Sequence, residues 1–144
     1  SFRAPHCALA HEHRPLERHC FRLTCASRIE AQVIQTMVRL DADLITDWPT
    51  FHSVFAETFG FPAFYGRNMD AWVDCLGYLD DPSAEMTSVH VQSGHTLALV
   101  IDNAQGFKLR CPDQFAALVE CAAYVNWRVI NGGDPPLLAL AFNV

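Results

Sequence analysis

From residue 37 onward the apolar residues alternate between a period of two and a period near 3.6, and most changes of period fall at a glycine, a proline or an acidic pair. Over 37–45 the apolar positions Met37, Val38/Leu40 and Ala42/Leu44 predict a first strand ending near Asp41-Asp43. Asp47 is a favoured N-cap ahead of Trp48-Pro49, and Phe51, Val54, Phe55, Thr58 and Phe59 form the buried stripe of a helix that Gly60 ends. Phe61-Pro62 then reads as a loop, because proline fixes its own φ and pushes the preceding residue towards extended geometry. Gly66 supplies a tight turn and Asn68 a second N-cap. Met69, Trp72, Val73, Leu76 and Leu79 follow as the inward stripe of a second helix.

Asp80-Asp81-Pro82-Ser83 stops that helix, and 83–95 reads as a polar connecting segment with at most one helical turn. The run Leu97-Ala98-Leu99-Val100-Ile101 predicts a strand covered on both faces. Pro112 opens a long helix to about Val129, with Phe115, Leu118, Val119, Ala122, Val125 and Val129 as its stripe and Asn131-Gly132-Gly133 as its stop. A last apolar strand runs over 137–142. Strands alternating with helices predict a small α/β domain built on a three-stranded parallel sheet flanked by helices.

The first 36 residues are a different material. Residues 1–28 show neither period, and 29–35 has the pattern of one short helical turn. Five arginines against three glutamates make residues 1–36 net +2, whereas 37–144 are net −8. The segment 1–36 therefore reads as an appended or disordered leader ahead of a domain spanning 37–144, with Met37 as a natural start. It lacks the continuous apolar region of a secretory signal. His6, His11, His13, His19, Cys7, Cys20 and Cys25 are metal-ligand types, but their irregular spacing contains no Cys-x-x-Cys pair and predicts no metal site.

Of 144 residues, 51% are apolar, and the net charge is −6. No apolar run approaches the roughly 20 residues needed to span a bilayer. The acidic balance excludes a nucleic-acid backbone as the partner, since that needs a basic stripe, and favours a basic protein instead. Nucleotide-binding and hydrolase motifs are missing, and no cysteine has an evident base to activate it. The expected setting is a reduced cytoplasm, without cofactor, metal or enzymatic activity.

Asp70 and Asp74 are the chemistry that stands out. Four residues apart, they lie one above the other on the face opposite the apolar stripe. The helix dipole favours Asp70 in the first turn, but Asp74 gains little from it and is repelled by its neighbour by a few tenths of a kcal/mol. No lysine or arginine stands three or four residues from Asp74 to relieve it. Such a pair is either a solvated acidic face or a patch prepared for a cationic partner.

Phe61-Pro62, Tyr65-Gly66, Asn68, Asp70-Ala71 and Asp74-Cys75-Leu76 stand in an unbroken spacing that resembles the signature of the barstar family, the intracellular inhibitors of barnase-type ribonucleases. Two departures are evident: Phe64 stands where the family often has tyrosine, and Trp72-Val73 puts the tryptophan one place early, where it packs inwards. The resemblance implies a barstar-like fold over 37–144 and a partner-binding surface made of Phe64, Tyr65, Gly66, Asn68, Asp70 and Asp74. Because the family also uses an acid on its late helix, Glu120 is carried as a further contact. The implied function is an inhibitor, monomeric when free, whose carboxylates imitate RNA phosphate in the cleft of a basic, extracellular-type ribonuclease or a related toxin. Two alternatives stand beside it: a barstar-fold immunity or adaptor protein for a different toxin enzyme, and a small hydrolase using Asp70 and Asp74.

Overall fold

The computed structural model describes residues 33–34 and 36–144, and its compact unit is Val33–Val144. The expectations for the leader and its histidines and cysteines, and for most of the turn at 29–35, lie outside the described residues. Within that expected turn, Val33–Ile34 instead form a short strand, β1, paired in parallel with Val89–His90, β3. Two β-branched residues suit an extended pairing better than an isolated turn of helix.

The predicted sheet is present as β2 (Met37–Asp41), β4 (Leu97–Asp102) and β5 (Leu138–Asn143), all parallel in the order β2-β4-β5. Val38 pairs with Leu99 and Leu40 with Ile101, while Leu97 pairs with Leu138. These side chains form one inward face and are buried. The opposite face carries Arg39, Val100 and Ala141 in register and remains partly exposed, so β4 is not covered on both faces as expected. Small Ala98 and Ala139 and the Arg39–Asp102 ion pair at 2.6 Å make that face tolerable to water. Asn143 and Arg39 both donate to the Asp102 carboxylate and hold it below the usual range.

Helix α1 (Trp48–Phe59) starts as predicted at Asp47, whose carboxylate accepts from the Thr50 backbone N–H at 2.9 Å while the Thr50 hydroxyl accepts from the Asp47 N–H. This reciprocal cap satisfies two donors that the first turn would leave unpaired. Helix α2 (Met69–Leu76) is shorter than its apolar stripe, because Gly77 caps it and the following turn still delivers Leu79 to the core. A seven-residue helix, α3 (Ala104–Arg110), joins β4 to α4 (Pro112–Asn131). Sequence patterning missed α3, whose only buried side chains are Ala104 and Phe107, too few to show a period. Val119, expected in the buried stripe of α4, is exposed at its outer edge. The 83–95 segment holds a 3-10 turn at Pro82–Ala84 and the two residues of β3.

The core is mainly aliphatic, with an aromatic cluster where α1 meets α2. Phe51, Phe55, Phe59, Trp72 and Phe107 are all fully buried, with Phe55 edge-on to Trp72 at 5.5 Å. Polar clips close its margins. The Arg110 guanidinium donates to the carbonyls of Ala42 and Ile45, tying α3 to the turn after β2. The Asn126 amide accepts from Leu137 and Leu138 and donates to the Leu138 carbonyl, fixing α4 against the start of β5.

Gly60 is the tightest joint. It ends α1 in the left-handed region with φ 67°, and a Cβ there would collide with Ser88 Oγ. Ser88 in turn donates its N–H to the Phe59 carbonyl at 2.8 Å. Gly60→Ala is therefore expected to destabilise the fold by about 2 kcal/mol or more, from backbone strain plus the clash. Urea unfolding measures this, with Ser88→Gly in the same chain recovering only the part due to the clash. An unchanged midpoint would contradict the account.

Candidate functional site

The loop from Gly60 to Asn68 and helix α2 behind it carry most of the residues singled out from the sequence. Asn68 caps α2 by accepting from the Ala71 N–H at 2.8 Å. Its amide also donates to the Gly66 carbonyl at 3.3 Å, so one side chain both starts the helix and closes the turn. Burial of Trp72, Val73 and Leu76 sets the roll of α2 about its axis, which leaves Asp70 and Asp74 exposed. The Asp74 carboxylate points to solvent with its side chain 63% exposed. Phe64 is 75% exposed at the tip of the loop, and Tyr65 is half-buried behind it.

Two links that sequence reading missed hold this loop to α1. In one, the Tyr65 hydroxyl lies 2.6 Å from His52 Nδ1. His52 is almost fully buried, stacked on Trp48 and edge-on to Phe51. Burial pushes its imidazolium below the ordinary value, and the nearby Arg67 charge adds to this. Burial also raises the Tyr65 hydroxyl well above its usual range. Tyr65 therefore stays protonated against a neutral ring, and the two share one short hydrogen bond whose direction follows the His52 tautomer.

The second link is Arg67. It occupies the left-handed region with φ 54°, a conformation costing a non-glycine residue roughly 1–2 kcal/mol. Its Nη2 donates to the Pro49 carbonyl and to Ser53 Oγ, both at 2.9 Å. An arginine close to the acidic helix face is thus turned back onto α1. The sequence signal was available: a lone cation inside the signature run, with hydroxyl and proline partners one helix earlier. Trp48, Pro49, His52, Arg67, Asn68 and Met69 line a shallow groove along this seam.

A second groove, of about 280 Å³, separates α2 from α4 and is lined by Met69, Asp70, Val73, Asp74, Cys121, Tyr124 and Arg128. The relief that α2 itself could not give Asp74 comes from α4, where Arg128 Nη1 lies 3.8 Å from Asp74 Oδ1. Glu120 is exposed on α4, and its neighbour Cys121 is the residue facing this groove. Burial first, then Glu120 and Asp70, raise the Cys121 thiol. Burial and Asp74 raise Cys75 to about 11. Both thiols are therefore held protonated and are poor nucleophiles. Among the described residues no group of three or more His, Cys, Asp or Glu side chains is arranged to hold a metal, and no helix is long and apolar enough to cross a membrane.

The surface thus combines two solvent-facing carboxylates, a rigidly anchored loop and an aromatic tip. The family model described as Barstar (barnase inhibitor) matches residues 35–138. A search of curated proteins returns no match.

The state of His52 has a pH consequence. The unfolded chain protonates this histidine near its ordinary pKa of about 6.5, whereas the folded chain resists protonation until a lower pH. Below about pH 6.5 the unfolded state binds more protons, so stability falls as pH falls towards the lowered folded value. Above that pH the contribution is fully present. Comparing wild type with His52→Gln by urea unfolding across pH 5 to 8 is expected to show an extra acid-side loss in wild type only. Parallel profiles would contradict the buried neutral assignment.

Proposed function

The chain belongs to the barstar family, and from that premise we propose that it is an inhibitor that occupies the active-site cleft of a barnase-type ribonuclease. The observation that carries this reading is the exposed Asp70–Asp74 pair on α2, presented by a loop that is tied to α1 at Tyr65 and Arg67. A ribonuclease must gather cations around a scissile phosphate. Asp74 offers two carboxylate oxygens in place of phosphate oxygens and can accept a bidentate arginine contact. Asp70, one turn nearer the helix start, pairs with a second cation. Phe64, Tyr65, Gly66 and Asn68 shape the loop contact, with the exposed Phe64 ring as its apolar anchor. Glu120 adds negative potential from α4.

Preorganisation is the second element of the mechanism. Holding the loop in its strained Arg67 conformation before the partner arrives removes ordering cost from the binding step. The net charge of −8 over 37–144 draws a basic partner in at long range. Partner, compartment and lack of enzymatic activity are part of this reading: a basic ribonuclease, met in the cytoplasm by a non-catalytic protein.

Phe64 and the inward Trp72 favour a second reading as well, a family member adapted to a different toxin enzyme. The two differ in which purified enzyme the protein inhibits.

The decisive measurement is titration of the protein against barnase-type ribonucleases in an RNA-cleavage assay. Wild type is expected to inhibit, and Asp74→Ala to weaken binding by about 2–5 kcal/mol. That range is carried over from paired interfacial charges, for which this family's own complex is the reference case. Added salt should slow association more than it speeds dissociation. Inhibition by Asp74→Ala equal to wild type would sink the mimicry mechanism even with the fold intact.

A further inference from the structure

We infer that Arg128 is an intramolecular stand-in for the partner's cation: it occupies Asp74 in the free protein and must leave when a partner binds. This rests on the proposed inhibitory surface and adds a residue that sets its selectivity.

The geometry is that of a weak, displaceable pair. Arg128 Nη1 is 3.8 Å from Asp74 Oδ1, beyond the roughly 2.7–2.9 Å of a charge-assisted hydrogen bond. The two side chains are 45% and 63% exposed, so water and salt screen the attraction. A bidentate arginine from a partner would outcompete it. A lone or poorly aimed cation gains little over what Asp74 already has. Arg128 also adds a like charge against any cationic cleft that approaches the groove, which slows encounter with basic proteins in general.

Arg128 also has somewhere to go. It lines the α2–α4 groove with Asp70 and Asp74 on one side. On the other it lines a separate depression with Tyr78, Asp80, Asp81 and Asp134. A side chain standing between two acidic depressions exchanges one set of carboxylates for another at little net cost. Yielding Asp74 therefore leaves no stranded charge. A competing contact that only a well-matched partner displaces is a device for discrimination, since specificity is a difference of affinities.

The test compares wild type, Arg128→Gln, Asp74→Asn and the double variant against a barnase-type ribonuclease by stopped-flow association and dissociation. Arg128→Gln is expected to bind about 2- to 5-fold tighter, mainly through faster association, as suits release of one exposed ion pair. The gain should shrink in the Asp74→Asn background to the part due to removing the like charge. Unchanged or weaker binding by Arg128→Gln, or a gain undiminished without Asp74, overturns the inference. A partner-independent arm titrates a tri-arginine peptide into each variant while following the backbone amides of 70–74 by NMR. Half-saturation at a lower peptide concentration in Arg128→Gln than in wild type supports the stand-in role, and equal titrations overturn it. Failure of the wild type to inhibit the ribonuclease would instead remove the inhibitory reading, leaving the peptide arm to decide on Arg128.

Discussion

The contact on which the rest depends is the burial of Trp72 against Phe55. A helix of eight residues has little stability of its own, so the roll of α2 is set by whichever side chains it buries. Trp72 is fully enclosed and edge-on to a ring of α1, and Val73 and Leu76 follow it inwards. With a period of 3.6 residues, that choice forces positions 70 and 74 outwards. The indole Nε1 has no hydrogen-bond partner among the described residues, a desolvation cost of about 1–3 kcal/mol. The cost is tolerated because a buried aromatic ring contributes a comparable or larger hydrophobic gain. The acidic face is thus a consequence of core packing.

The loop before α2 obeys a different constraint. Only Phe61 and Tyr65 of its residues pack against the core, so polar links share in holding it. The Tyr65–His52 hydrogen bond works because both groups are kept neutral by their surroundings, and Arg67 works because its Nη2 reaches a carbonyl and a hydroxyl together. Both links end on the first half of α1, whose start is itself locked by the Asp47–Thr50 capping box. Cap, helix, loop and acidic face therefore form one chain of dependence. Backbone strain at Arg67 sits where a functional surface would store it.

Much of this was legible in the sequence, for identifiable reasons. The parallel sheet followed from apolar runs separated by helical stripes, and the caps at Asp47, Gly60 and Asn68 are local chemistry that neighbours do not override. The outward pair at Asp70 and Asp74 followed from the same period. What escaped is what tertiary structure alone decides. Helix α3 buries two residues and has no stripe to read. Val119 fits the stripe of α4 by number but lies at its edge, because α4 contacts the core along a narrower line than its apolar content suggests. His52 and Tyr65 are 13 residues apart with no shared period, and Arg128 is 54 beyond Asp74.

That last pairing changes how the acidic surface should be understood. Seen along α2 alone, Asp70 and Asp74 repel each other with no local cation, a small cost with no structural return. The fold could have cancelled it with a buried, hydrogen-bonded arginine, and such a pair would have been hard to break. Instead the cation is supplied from another helix, at a distance and exposure that leave the attraction weak. The like-charge strain is eased without being removed, and Asp74 keeps oxygens free for an incoming donor. That balance is what the proposed inhibitory surface requires, since its carboxylate has to pass from a weak internal cation to a stronger external one.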